Sequence, residues 1–386
     1  MIIGGVGGIC RTGVGGTKTG YQEWYFPVLV TIGTGAVDKA FSKTQPIKYS
    51  ASARIRNVAD DAWVALPDVT YFQVAGKKDG SGSANLTVRK PDTWNIDGTT
   101  YPDLLRPSAR PLQIFCTITI QGTDYTVPIF NGVITNYNES HGQSGGSISL
   151  TCQSRSIALQ NRDLTGYQRL TMYRQIYDEL MASGLFSTGQ VPVIMFADYA
   201  FDSEESYEYG NLLAMIEGVT PFAVDISNRQ TGGVLIVQRG AENDETAAFS
   251  LQDNNQVTLT RSLGSSTSFN TITVVGRENG ETKTQVVSDA TDVARRGTIR
   301  YPWNYGTRTR ALADNVADAE TWIAEMLRGK ISCGIQMNPF IQIGTILNFD
   351  SGRLFITSGR ARVGAYTHQY RYGSASTQLT DVAVLT

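Results

Sequence analysis

One-sided charge, histidine and long apolar runs are all scarce in this sequence, and each shortage removes a class of function. Its 33 basic and 35 acidic side chains leave a formal net charge of -2, with charged residues at 18%. The basic excess or stripe of a nucleic-acid footprint is therefore missing. No run of about 18 apolar residues exists, so no transmembrane helix is expected. Met1-Ile2-Ile3 lacks the basic region and apolar core of a secretory signal, which suggests a protein retained in a cytoplasm or leaving it inside a larger particle. With only His141 and His368, histidine chemistry is sparsely equipped. Neither a Ser-His-Asp context, nor zinc spacing, nor a G-x-S-x-G nucleophile turn appears. The four cysteines, Cys10, Cys116, Cys152 and Cys333, have no metal-ligand spacing and do not form a disulfide framework. They read as buried free thiols in a reducing site of synthesis, Cys116 and Cys152 as a pair in one core.

Two segments look like sites and are better read otherwise. Residues 1–20 hold eight glycines, including GVGGTKT at Gly13 to Thr19. A phosphate loop needs glycine directly before the lysine, and Thr17 stands there. Dinucleotide spacing fails too, because Lys18 occupies the place of the third glycine. An arm that orders against a neighbouring subunit suits so glycine-rich a stretch. Residues 197–210 cluster Asp198, Asp202, Glu204, Glu205 and Glu208. Paired carboxylates could serve a glycosidase or bind calcium, but the spacing fits no EF-hand loop and aromatic residues interleave. A solvated or interfacial acidic loop is the reading adopted. The sequence thus nominates no catalytic, cofactor-binding or metal-binding residue, and no cofactor.

What is abundant is β-strand patterning. Ile114, Cys116, Ile118 and Ile120 alternate with Phe115, Thr117 and Thr119, the period of a half-buried strand. Gln121 to Asp124 breaks the pattern as a hairpin loop. Strands follow at Tyr125 to Phe130 and Gly132 to Tyr137, then a Gly/Ser loop from Gly142 to Ser147 and a strand through Ile148, Leu150 and Cys152. This predicts a four-stranded antiparallel meander. The outline returns near the carboxyl end: Gly344 to Phe349, a turn at Asp350-Ser351-Gly352, Arg353 to Thr357, Val363 to Tyr370, a loop at Gly373 to Ser376, and a last strand holding Leu379, Val382 and Val384. A duplicated β-module is the expectation.

At 386 residues the chain is long for a single core, and two to four domains are expected. Strand-like runs lie at Trp24 to Ile32 and Ile47 to Val58, and a loosely ordered region at Gly76 to Arg106. After Cys152 the period changes. Thr165 to Gln168 is a capping box, and Met172, Ile176 and Leu180 line one helix face that stops at Ser183-Gly184. A strand at Val191 to Phe196, a short helix at Asn211 to Glu217, and a hairpin of Pro221 to Ile226 with Val234 to Gln238 complete a small α/β unit. Strand patterning resumes from Val257 to Val275. Ala311, Leu312, Val316, Ala319, Trp322, Ile323, Met326 and Leu327 then share a helical face, with Gly329 at the C-cap. Tyr301, Trp303 and Tyr305 are expected to pack under that helix or against a partner. The predicted fold is mainly β (α+β): two similar antiparallel β-barrel tube modules with a small α/β domain between them and a helix inserted in the second. Its divisions are a glycine-rich arm 1–20, a first barrel 21–155, an α/β domain 156–250, and a second barrel 251–386 with the helix near 308–329.

In order and spacing these parts resemble the tail hub (baseplate hub) proteins of tailed bacteriophages, relatives of the upper part of type VI secretion spikes. PIFNGVITNY at Pro128 to Tyr137 is similar to the strand closing that family's first barrel, and FNTITVVG at Phe269 to Gly276 to the strand opening its second. DATDVARRG at Asp289 to Gly297, the helix, Asn338-Pro339, Ile343-Gly344 and the Tyr366 to Leu385 hairpin follow the family order. The resemblance covers roughly residues 45–386; the glycine-rich arm has no counterpart. It implies a non-enzymatic homotrimer whose six barrels form a pseudo-hexameric ring, docking a six-fold tail tube or distal-tail protein on one face and a three-fold spike or tip on the other. The tape measure protein is a further implied partner, and no membrane or sequence-specific nucleic acid is. Location in the virion tail or baseplate, after synthesis in the host cytoplasm, goes with it. The competing readings are a hexameric distal-tail or tail-tube component, a carbohydrate-binding receptor module, and a hub-associated cell-wall hydrolase using Glu204 or Glu205.

Overall fold

Cross-strand pairing carries this chain. The computed structural model describes residues 47–56, 63–77, 82–90, 111–142, 145–154, 269–306, 311–351, 356–372 and 374–385, with short stretches between them. The glycine-rich arm, the strand expected at 24–32, the helix expected around Met172 to Leu180, the acidic loop 197–210 and the helix expected at 211–217 lie outside the described residues.

The first group of strands is β1 (Lys48–Arg56), β2 (Trp63–Ala65), β3 (Val69–Lys77), β4 (Ser83–Lys90), the short pair β5 (Asn95–Ile96) and β6 (Thr99–Thr100), β7 (Pro111–Ile120), β8 (Thr123–Gly142) and β9 (Gly145–Ser154). Hydrogen bonding orders them β2-β1-β7-β8-β9-β4-β3, antiparallel throughout. Leu112, Ile114, Cys116, Ile118 and Ile120 of β7 are buried in strict alternation, as the sequence predicts. Gln121 and Gly122 turn the β7–β8 hairpin with φ of 51° and 80°, the doubly positive geometry of a two-residue turn matched to strand twist.

Next come β10 (Val193–Met195), β11 (Val224–Asn228) and β12 (Val234–Gln238). β11 and β12 form the predicted hairpin, and β10 lies parallel to β12. The remaining elements are β13 (Phe249–Gln252), β14 (Gln256–Ser262), β15 (Thr271–Glu278), β16 (Glu281–Ser288), α1 (Ala290–Arg296), β17 (Arg300–Tyr305), α2 (Leu312–Arg328), β18 (Lys330–Gln336), β19 (Ile346–Ser351), β20 (Ile356–Arg371) and β21 (Ser374–Val384).

The architecture is mainly β with antiparallel sheets, and the duplication is deeper than the sequence suggests. In the second group the order is β14-β18-β21-β20-β19-β13, against β3-β4-β9-β8-β7-β1 in the first. Six strands therefore correspond in order, with β13–β19 the one neighbouring pair that runs parallel. The expected four-stranded meander has three strands, because the runs at 125–130 and 132–137 are one strand, β8. Its first half pairs β7 and its second half pairs β9. β20 likewise joins the described end of the strand expected at 353–357 to the one expected at 363–370, pairing β19 and then β21. Glycine makes the change of neighbour possible in both. A Cβ on Gly132 would lie 2.1 Å from the Gln153 carbonyl oxygen, and one on Gly364 would lie 2.7 Å from that of Asp381. Gly132 is thus a close-approach residue inside β8 rather than the start of a strand.

Two further expectations are corrected. The region from Gly76 to Arg106 is not loosely ordered throughout, because β4 buries Ala84, Leu86 and Val88 in the main core. FNTITVVG does not open the second barrel: β15 belongs to a separate three-stranded sheet, β16-β15-β17. Its apolar face, Ile272 and Val274, is buried, and α2 packs on β15 and β16, so this strand's burial is satisfied away from the large sheet. The insertion between β14 and β18 is consequently larger than the helix alone. α2 begins at Leu312 rather than 308 and ends at Gly329, whose φ of 79° suits a C-cap glycine. Trp322 lies 4.5 Å from Phe269, 5.0 Å from Tyr301 and 5.9 Å from Tyr305, ring centre to ring centre. Two of the three aromatics thus pack under the helix as expected, while Trp303 is 69% exposed. A buried ion pair, Arg362 Nη2 to Glu325 Oε1 at 3.0 Å, ties α2 to β20.

Replacing Gly132 or Gly364 with alanine forces a methyl group into a facing carbonyl. Each substitution is expected to lower stability by about 1–3 kcal/mol, the usual range for overpacking. Urea unfolding midpoints measure this, and unchanged midpoints would show that the strands do not approach so closely.

Candidate functional site

Among the described residues no group of three or more His, Cys, Asp or Glu side chains could hold a metal ion. No described helix is long and apolar enough to cross a membrane. Cys116, Cys152 and Cys333 are free and buried, and burial pushes each thiol up to about 12. Cys116 and Cys152 share a core but lie on β7 and β9, with β8 between them. The carboxylates Glu204 and Glu205 fall outside the described residues. What stands out instead is a joint.

β20 pairs β3 antiparallel, Ala365 opposite Lys77 through Arg371 opposite Tyr71. This is where the two groups of strands become one 13-stranded sheet. The register places Tyr366 against Gly76, His368 against Val74 and Tyr370 against Phe72. Glycine is required at the first of these, since a Cβ on Gly76 would lie 2.8 Å from Tyr366 Cε1. The Phe72 and Tyr370 rings stack at 5.5 Å, and those of Tyr366 and His368 lie 4.5 Å apart. Offset aromatic pairs of this kind add to plain area burial. Tyr49 of β1 reinforces the joint by donating its hydroxyl to the Met337 carbonyl at 2.8 Å. A single hydrophobic cluster runs through both groups.

His368 is the polar centre of the joint and is fully buried. Nε2 lies 2.9 Å from the Ile341 carbonyl oxygen, which can only accept, so Nε2 carries the proton. Thr377 Oγ1 accepts from the Asn338 amide at 3.0 Å and donates to Nδ1 at 2.8 Å. Every position on the neutral ring is therefore satisfied. Burial moves its pKa from 6.5 down to about 4. The sequence places His368 on an alternating strand as a packed or surface residue, and it is packed. His141 sits near the exposed end of β8. Sequence reasoning missed the partner strand β3, whose alternation of Phe72 and Val74 with Tyr71, Gln73 and Ala75 was the available signal.

No protein-family model matches the chain, and no curated protein matches it. Solved structures do. A tail protein from Neisseria meningitidis MC58 superposes with a TM-score of 0.57 at 12% identity, over 87% of this chain and 96% of that one. The fold is that of tail proteins. A prophage MuSo2 tail protein from Shewanella oneidensis gives 0.55 at 11% identity, over 87% and 98%. An E. coli component of the type VI secretion system, itself structurally similar to T4 bacteriophage tail proteins gp27 and gp5, gives 0.53 at 11%, over 89% and 77%. The likeness spans nearly the whole of the two tail proteins and 87% of this chain.

A base held neutral by burial takes up its proton in the unfolded chain first, so stability must fall as pH drops from about 6.5 towards 4 and then level off. The span corresponds to about 3 kcal/mol. His368→Gln is expected to remove this part of the acid dependence, read as the difference in urea unfolding free energy between pH 7 and pH 4.5. An unchanged difference would mean that His368 titrates normally.

Proposed function

We propose that this chain is a structural tail hub of a tailed bacteriophage or phage-like particle. Three copies form a pseudo-hexameric ring that adapts the six-fold tail tube, or a distal-tail protein, to a three-fold spike or tip. The observation that carries this reading is the repeat of six strands in one chain, β3-β4-β9-β8-β7-β1 and β14-β18-β21-β20-β19-β13, within a fold shared with tail proteins. Two equivalent units per chain turn three chains into six positions, which a symmetry adaptor requires. A hexameric distal-tail or tube component needs only one unit per chain.

The role is mechanical, without catalysis, and belongs to the virion. The first domain, at 21–155, and the second, at 251–386 with β13 beginning two residues earlier at Phe249, each provide one tube module, with the small α/β unit between them. The tube, the spike or tip, and the tape measure protein are its partners. The E. coli type VI relative supports the spike side of this reading, and the two tail proteins support the tail side.

Light scattering of the purified chain should give three times the mass of one chain. A hexamer would move the assignment to a tube or distal-tail ring. Peptidoglycan hydrolysis that disappears in Glu204→Gln or Glu205→Gln would overturn the structural role.

A further inference from the structure

The joint between β20 and β3 is made once within the chain, yet the duplication creates its two components twice. Among the described residues the second copy of each lies open. The segment of β8 beyond Gly132 corresponds to the segment of β20 beyond Gly364. Val133 stands opposite Gln153 just as Ala365 stands opposite Asp381. Each unit then accommodates one bulged residue, Thr135 in β8 and Thr380 in β21, after which Tyr137 faces Leu150 and His368 faces Thr377. Tyr137 is therefore the counterpart of His368. On the other component, Val74 is linked through Ala84 to Cys152, and Leu259 through Cys333 to Leu379. Cys152 and Leu379 hold the same place opposite Ile134 and Tyr366, which makes Leu259 the counterpart of Val74.

The paired and unpaired versions differ in burial as the loss of a neighbour requires. Phe72, Val74, Tyr366, His368 and Tyr370 are buried at the internal joint. Residues 135–141 of β8 are exposed apart from half-buried Tyr137, and residues 258–262 of β14 are exposed apart from half-buried Leu259. Among the described residues nothing pairs with the outer edge of either segment. Tyr137 and Leu259 both pack against the main core with one side uncovered. Neither segment contains proline, and the charges they carry are engaged within the chain, Glu139 with Lys90 and Arg261 with the Arg328 carbonyl, so neither edge has a free guard of the usual kind. The β8 edge is also held in place, because Glu139 accepts from Tyr137 Oη at 2.8 Å and pairs with Lys90 on β4.

We infer that the β8 segment 135–142 pairs antiparallel with β14 of a second copy of this chain, with Tyr137 opposite Leu259, repeating between copies the joint that β20 and β3 make within one. This rests on the tail-ring reading and gives it an interface. Each copy offers one component at each end, so the contact is head-to-tail and leaves two open edges until a ring closes. By the same correspondence, Thr367 opposite Ala75 becomes Asn136 opposite Thr260, and both of these side chains are exposed.

The test uses the full chain in a Cys10→Ser background. Asn136→Cys is combined with Thr260→Cys as the in-register pair, or with Ser262→Cys as a pair two residues out. Mild oxidation should yield covalent oligomers at least about tenfold more readily for the in-register pair, since disulfide geometry tolerates little separation. Leu259→Lys should reduce the assembled mass to one chain while the far-ultraviolet circular dichroism stays unchanged. Assembly to three copies without the in-register cross-link would overturn this joint and leave the ring reading standing. In-register cross-links in open, growing chains would uphold the joint and overturn the closed ring. Single chains with no cross-link at the highest soluble concentration would overturn the joint outright.

Discussion

Seven antiparallel residue pairs, Ala365–Lys77 to Arg371–Tyr71, decide whether this molecule is two β-structures or one. Without them the first group of strands ends at β3, and the 365–371 segment of β20, which lies beyond its pairing with β19, has an open side; both would leave half-covered aromatics. With them, Phe72, Tyr370 and Tyr366 close into a continuous core. Backbone pairing alone contributes modestly, because water offers competing hydrogen bonds. The apolar area it brings together contributes more. His368 suits this setting as a neutral ring, since burial disfavours the imidazolium and the Thr377 hydroxyl, which accepts from the Asn338 amide, has its proton to give to Nδ1.

The insertion carrying α2 depends on the same strand. Arg362 lies on β20 a few residues before the joint, and its pairing with Glu325 brings the helix, and with it β15 to β17, to a fixed place on the large sheet. Arg328 also donates to the Leu385 carbonyl oxygen. A buried ion pair is weak evidence for net stability, because desolvating two charges offsets most of their attraction. Its directional demand is what matters here, for an apolar contact would let the helix slide where a carboxylate facing a guanidinium does not.

Much of the large sheet was legible because its strands are half-buried. Ile114 to Ile120 alternates without a break, and so does the stretch around Tyr366 to Tyr370. The repeat was visible through loop chemistry and through a glycine followed by alternating residues. Strand continuity was not. Gly132 reads as the start of a new strand and Gly364 as an interior residue of one, whereas both let a facing backbone carbonyl approach along a longer strand. β4 escaped notice although Ala84, Leu86 and Val88 alternate with polar residues, because Pro91, Pro102 and Pro107 marked the surrounding region as loop. The placement of β15 in a separate sheet was beyond sequence, since an alternating strand shows that one face is covered and not by what. The joint was equally hidden, because pairing between Tyr366 and Gly76 leaves no local signature in either segment.

The joint also sets a timetable for synthesis. About 290 residues separate β3 from the part of β20 that covers it, and at roughly 5–20 residues per second a ribosome needs some 15–60 s to make them. Throughout that interval β1 to β9 can fold, but β3 presents a bare edge to every nascent chain nearby. Gly76, which the Tyr366 ring will eventually cover, is then exposed backbone in an otherwise finished sheet. Keeping that edge unpaired until β20 arrives is part of how this protein reaches its native state.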